Sequence, residues 1–195
     1  MMTVRQMQRL WNCGKYARLL DELIALRVEA LAAAELAHWP CAAAAALALV
    51  RLDELNQPHA PLCPTLIRAI LAQQESDGGW GDVAVTALCL RALSLCHGHG
   101  LAIQRGMNYL AQLQQPAGIW PKIPIRRMAA DPLVSAFVLL QLGDHEPFRA
   151  AVDFPAAVEW FDSHGPDIDP AAKTLWDHAR PRCAGAEFSL FQPHN

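Results

Sequence analysis

Three sets of side chains in this 195-residue sequence have the types and spacing to do chemistry. Lys122, Arg126 and Arg127 stand close together and can hold a diphosphate or another anion by charge-assisted hydrogen bonds. Three cations in a loop can equally be solvated and do nothing more. Cys89, Cys96, His97 and His99 are zinc-type ligands, and the two cysteines are two helical turns apart on one face. Against a metal, His97-Gly98-His99-Gly100 reads as a helix stop with Gly98 at the C-cap, so no metal is assigned. Asp82, Asp131 and Asp169 each precede an apolar or Ala-rich run, and Pro132 and Pro170 follow the last two. Asp at an N-cap with Pro at the first helical position marks a helix start.

Helices must position all of these. The chain is 53% hydrophobic, biased toward Ala and Leu, and 18% charged, which favours helix over strand and supplies a sizeable core. Amphipathic segments at 15–37, 64–75 and 101–115 alternate with nearly uncharged ones at 41–55, 82–97 and 132–142. That alternation describes a double layer, apolar helices inside and amphipathic ones outside. The tail, 181–195, reads as irregular. The length suits a single domain.

A net charge of −3 argues against a nucleic-acid surface. The greasiest run, Cys41 to Val50, is about half of what a bilayer span needs. The start MMTVRQMQRLWNC has positive charge but no apolar region behind it. Six scattered cysteines without a Cys-x-x-Cys pair fit a reducing compartment. A cytoplasmic location is the expectation, with peripheral membrane contact left open.

A frame recurs at a step of 40 residues. An apolar helical segment leads to Gln74 and a loop ending Gly78-Gly79-Trp80; another leads to Gln114 and a loop ending Gly118-Ile119-Trp120. The clearest repeats are therefore 64–100 and 101–142. Trp39 and Trp160 continue the spacing without the frame, and Trp160 aligns better with Tyr109 inside a helix. A Gln at one helix end can satisfy orphan backbone groups of the next. A Trp in each loop can bury a large area between units. These four residues are expected to be structural. The connection after Trp120 is about nine residues longer than the one after Trp80, and such extra length often carries function.

The stretch Arg105-Gly106-Met107-Asn108-Tyr109-Leu110-Ala111-Gln112-Leu113-Gln114, ending Gly118-Ile119-Trp120, resembles the QW motif of squalene-hopene and oxidosqualene cyclases. The pieces SDGGWGD and TALCLRAL look like class II terpene cyclases and prenyltransferase β subunits. The resemblance implies an all-α fold, an α/α toroid-like array of helical hairpins. About four hairpins fit this length where the family uses around six, so an incomplete ring is expected. An open ring leaves apolar faces that call for a partner, here a homodimer or a complex. In that family the middle Asp of a DxDD motif protonates an alkene or epoxide. Asp167-Ile168-Asp169-Pro170 resembles it, with Pro170 in place of the last Asp, so the resemblance makes Asp169 the acid and Asp167 its companion. Phe137 and Trp176 would line an apolar cavity and stabilise carbocations. Lys122, Arg126 and Arg127 would grip a diphosphate, with Mg only if the substrate is one; no other cofactor is implied.

Two functions from different classes follow. One is a small terpene-cyclase-like enzyme acting on an isoprenoid or similar apolar substrate. The other is a non-catalytic helical-repeat protein that binds a partner chain or an apolar ligand. Asp169 also has a purely structural reading, as an N-cap; the two roles are not exclusive, and the enzyme reading needs its carboxylate to point into a closed apolar pocket.

Overall fold

The computed structural model describes residues 41–56, 61–125, 127–165 and 167–184. The amphipathic segment 15–37, Trp39 and Arg126 lie outside the described residues. Among those described, eight helices are present and no strand longer than an isolated bridge. We number them α1 (Cys41–Glu54), α2 (Cys63–Ala72), α3 (Val83–Ser94), α4 (Gly100–Leu113), α5 (Pro132–Leu142), α6 (Glu146–Ala151), α7 (Phe154–His164) and α8 (Pro170–Ala184). The fold is all-α. None of the described helices is long and apolar enough to cross a membrane.

The chain divides into two compact units, meeting in sequence between Gln73 and Gln74. In the first, α1 packs on α2. Ala42, Ala43, Ala45, Ala46 and Leu49 are buried on α1, and Leu66 and Ile70 on α2. Small alanines let two helix backbones approach closely, and Gln73 ties the pair by accepting a hydrogen bond from the Ala42 N–H at 3.2 Å.

In the second unit the apolar helices form a row. α3 packs on α5 and α5 on α8, although other helices separate them in the chain; α4 packs on α3 and on α6. The row follows from composition. α3 and α5 bury most of their circumference, including Val83, Ala87, Leu90 and Leu93 on one and Ala136, Val138, Leu139 and Leu142 on the other. α8 is different. It buries only Ala172, Trp176, Ala179 and Cys183, a single stripe at helical spacing. Outside that stripe Leu175 is the one large aliphatic side chain and is half-buried, while Lys173, Thr174, Asp177, His178 and Arg180 are exposed, so α8 can end the row without leaving a second broad apolar face uncovered.

Several boundaries depart from the sequence reading, among them α2, which stops at Ala72 where the segment reads to 75. The apolar run predicts a helix to residue 97, but α3 stops at Ser94. The Ser94 hydroxyl donates to the Arg91 carbonyl at 2.7 Å, and such local bonds compete with the helical ladder. The segment 146–164 forms two helices, of which only the second is anticipated, through Trp160. Residues 181–184, expected to belong to an irregular tail, are helical, because α8 runs through Pro181 to Ala184. Arg149 explains this. Its Nη2 donates to the Arg182 and Cys183 carbonyls at 3.0 and 2.6 Å, and its Nε to the Gly143 carbonyl at 2.6 Å. One guanidinium thus satisfies the orphan carbonyls at the ends of α5 and α8. Residues 185–195 lie outside the described residues.

Candidate functional site

The two Gln–Gly-x-Trp loops share a common set of hydrogen bonds. The Gln74 amide donates to the Gly78 carbonyl at 2.9 Å and to the Ala102 carbonyl at 2.8 Å. The Gln114 amide donates to the Gly118 carbonyl at 2.7 Å and to the Asp153 carbonyl at 2.9 Å. Gln114 also accepts from the Asp153 N–H at 2.7 Å. Each Gln therefore closes its own loop and reaches the start of a later helix, α4 or α7. Between them the loops repeat the same backbone pairs: Glu75 N–H to Gly79 and Gly78 N–H to Glu75, then Gln115 N–H to Ile119 and Gly118 N–H to Gln115. Gly78 and Gly118 both sit in the left-handed region, at φ +96° and +86°. A Cβ on Gly118 would lie 2.5 Å from the Ala156 carbonyl carbon and 2.6 Å from the Ala157 nitrogen.

The sequence reading missed one pair of residues. Thr86 and Ser135 are the two fully buried polar side chains among the described residues. The Thr86 hydroxyl accepts from the Trp80 N–H at 3.0 Å, and the Ser135 hydroxyl from the Trp120 N–H at 2.9 Å. The signal was present, since each stands four positions after a capping Asp. Asp82 accepts from the Val85 N–H at 2.7 Å and Asp131 from the Val134 N–H at 3.0 Å. Cap and hydroxyl together pin each Trp to the helix that follows it.

The Trp rings fill space between elements. Trp120 is fully buried, donates from Nε1 to the Leu110 carbonyl at 2.8 Å and packs against Phe148 with centroids 6.0 Å apart. Gly106 is small for a reason: a Cβ there would meet Leu90 Cδ2 at 2.8 Å and Trp80 Cζ3 at 2.9 Å. Tyr109 covers Gly79 and donates to the Gly81 carbonyl at 3.4 Å. Burial first, then Asp77, Asp82 and Glu75, push its phenol far up, so it stays a neutral donor.

The residues singled out for chemistry do not sit this way. Asp169 is exposed, and its carboxylate accepts from the Ala171 N–H at 2.8 Å at the start of α8. Asp167 is exposed as well. Neither has the dry enclosure that protonation of an alkene requires. Trp176 is buried, stacked on Phe161 with centroids 4.8 Å apart, while Phe137 is partly exposed on α5. Cys89 is buried in α3, and burial followed by Asp82 raises its thiol far above the ordinary value. Among the described residues no group of three or more His, Cys, Asp or Glu side chains could hold a metal. Burial pushes the Cys183 thiol up to about 11, against the opposing pull of Arg149, so it packs as a small hydrophobe.

Lys122 and Arg127 are exposed on a loop that is well fastened. Pro121 and Ala130 form an antiparallel bridge at its neck, and the Asp131 N–H donates to the Trp120 carbonyl at 2.8 Å. Gln115 donates to the Met128 carbonyl from below. Within the loop, the Ile125 N–H donates to Ile123 at 2.6 Å and the Met128 N–H to Ile125 at 2.9 Å. Such a platform can present charge and apolar surface together, and it carries no acid, base or nucleophile set. No protein-family model, curated protein or solved structure matches the chain.

Proposed function

We propose that this protein is a non-catalytic helical-repeat binding module, laid out on the α/α-toroid plan of QW-motif proteins, that engages an apolar partner through its surface. The observation that carries this reading is the position of Asp169. Its carboxylate is exposed and engaged at the first turn of α8, where an N-cap is what an Asp stabilises. The toroid plan is supported by the direct packing of α3, α5 and α8 in succession, and by two loops with the same hydrogen bonds. Support for binding over catalysis also comes from the use of the aromatic residues. Trp120, Phe148, Phe161 and Trp176 are consumed in packing, which leaves few ring faces for a cation among the described residues.

The test is incubation of purified protein with farnesyl diphosphate, geranylgeranyl diphosphate (both with Mg) and squalene, followed by mass spectrometry of the extract. All three should return unchanged from wild type and from Asp169→Ala alike. A cyclised product that disappears in Asp169→Ala would overturn the reading. It would restore a terpene-cyclase-like enzyme, with Asp169 as the acid and the loop cations as the diphosphate grip.

A further inference from the structure

We infer that the loop 121–130 is a preformed foot that seats this protein on an anionic lipid surface. The inference rests on the binding reading above and names its partner. Four large apolar side chains are exposed in or beside this loop: Ile123 at 47%, Ile125 at 53%, Met128 at 42% and Leu133 at 42%. Exposed apolar residues are common singly. Four within eleven positions, on a stretch tied at its neck and again at Met128, form a patch.

Charge chooses the partner. The sequence Pro121-Lys122-Ile123-Pro124-Ile125-Arg126-Arg127-Met128 interleaves cations with apolar side chains and has no acidic residue before Asp131. The chain as a whole carries −3, so this patch runs against the molecular balance. Interleaved cations and aliphatic tips suit a lipid interface, where the tips enter the acyl boundary and the cations meet anionic headgroups. A protein-binding centre of this size would be expected to carry an aromatic anchor, and the loop has none. The fastening matters too. A loop fastened at Pro121–Ala130 and at Met128 loses little freedom on docking. The first copy of the frame closes from Trp80 to Asp82 with Gly81 alone, so the added residues are not needed to build the repeat.

Flotation with vesicles of phosphatidylcholine plus phosphatidylserine, and with pure phosphatidylcholine, tests this. Wild type should float with the mixed vesicles only, and added salt should release it. Ile123→Ser with Ile125→Ser should cut partitioning by roughly tenfold. Lys122→Glu and Arg127→Glu should each cut it by about fivefold or more. All four positions are exposed, and circular dichroism verifies that each variant folds. Replacing residues 121–130 by one Gly should abolish flotation. Wild type that floats with neither vesicle, or flotation that survives the loop replacement, would overturn the proposal. So would loop variants that leave flotation intact but convert a dimer to a monomer in light scattering, which would make the occupant a second copy. None of these results bears on turnover, so a failed foot and a failed binding reading are told apart by the incubation above.

Discussion

The loop from Gln74 to Asp82 and the loop from Gln114 to Asp131 solve one problem at two lengths. Both bond Gln to a Gly carbonyl and to the start of a later helix, both hold a buried Trp N–H on a hydroxyl, and both end on a capping Asp. They differ between Trp and Asp. The first copy has Gly81 alone, at φ +86°, and the second has the ten residues from Pro121 to Ala130. The lesson is that the frame is a set of polar contacts at fixed points, and the connection between two of those points is free to vary. Lengthening a loop costs little, about 0.6 kcal/mol per doubling. Losing a buried hydrogen bond costs about 1–3 kcal/mol. Selection can therefore add a platform to one repeat without touching the repeat itself. The start of α8 makes the same point by failure. Lys173 occupies the place of Thr86 and Ser135, four after the Asp, and is exposed. No equivalent latch forms there, and the Asp cap alone remains.

The largest effect expected from perturbing this comparison is Trp120→Ala, at about 3–5 kcal/mol by urea denaturation. It removes a fully buried ring and the bond to Leu110. Trp80→Ala should fall in the same range, since that ring is 2% exposed, and a cost under about 1 kcal/mol at either site would break the equivalence of the two copies. Gly118→Ala comes next, at about 2–4 kcal/mol, because the new methyl meets backbone that cannot step aside and φ is left-handed. Ser135→Ala and Thr86→Val should each cost about 1–3 kcal/mol, by stranding the buried Trp N–H. Matched losses would show the two latches to be one device.

A pH dependence separates the second copy from the first. The His145 imidazole sits between α5 and α6, with a buried Nδ1 that has no partner among the described residues. Burial lowers its pKa from 6.5, Arg91 lowers it further, and Asp144 partly opposes them. The folded value is below the unfolded one, so the stability it contributes is fully present above pH 6.5 and is lost as pH falls through the folded value. Urea midpoints across this window should decline for wild type and flatten in His145→Gln. The smallest effect on stability should come from exchanging residues 121–130 for a single Gly, which gives the second loop the length of the first. A change in the unfolding midpoint beyond about 1 kcal/mol equivalent would mean that the platform belongs to the frame after all.

Much of the helical plan was legible. The caps at Asp82, Asp131 and Asp169 and the span of α5 follow from Asp-Pro starts and an uninterrupted apolar run. What escaped was long-range. α8 was expected to fray from Pro181, yet Arg149, 33 positions away from Arg182, holds its last turn. The sequence places Trp160 opposite Tyr109, and the reason is visible only in the fold: Gln114 reaches Asp153, which stands 51 positions after Ala102, as Trp160 does after Tyr109. The hydroxyls of Thr86 and Ser135 look like ordinary helix residues until the Trp N–H groups are seen to point at them.

Local chemistry by itself determined the starts of α3, α5 and α8 and the 40-residue step, because caps, periodicity and Gly-x-Trp loops act over a few residues. Tertiary structure decided where those residues stand. It set Asp169 at an exposed helix start, spent the aromatic rings on packing, and turned an ordinary basic loop into a fastened platform with its isoleucines outward. The physical reason is that burial and hydrogen-bond partnership depend on neighbours distant in the chain, and local sequence patterns do not report them.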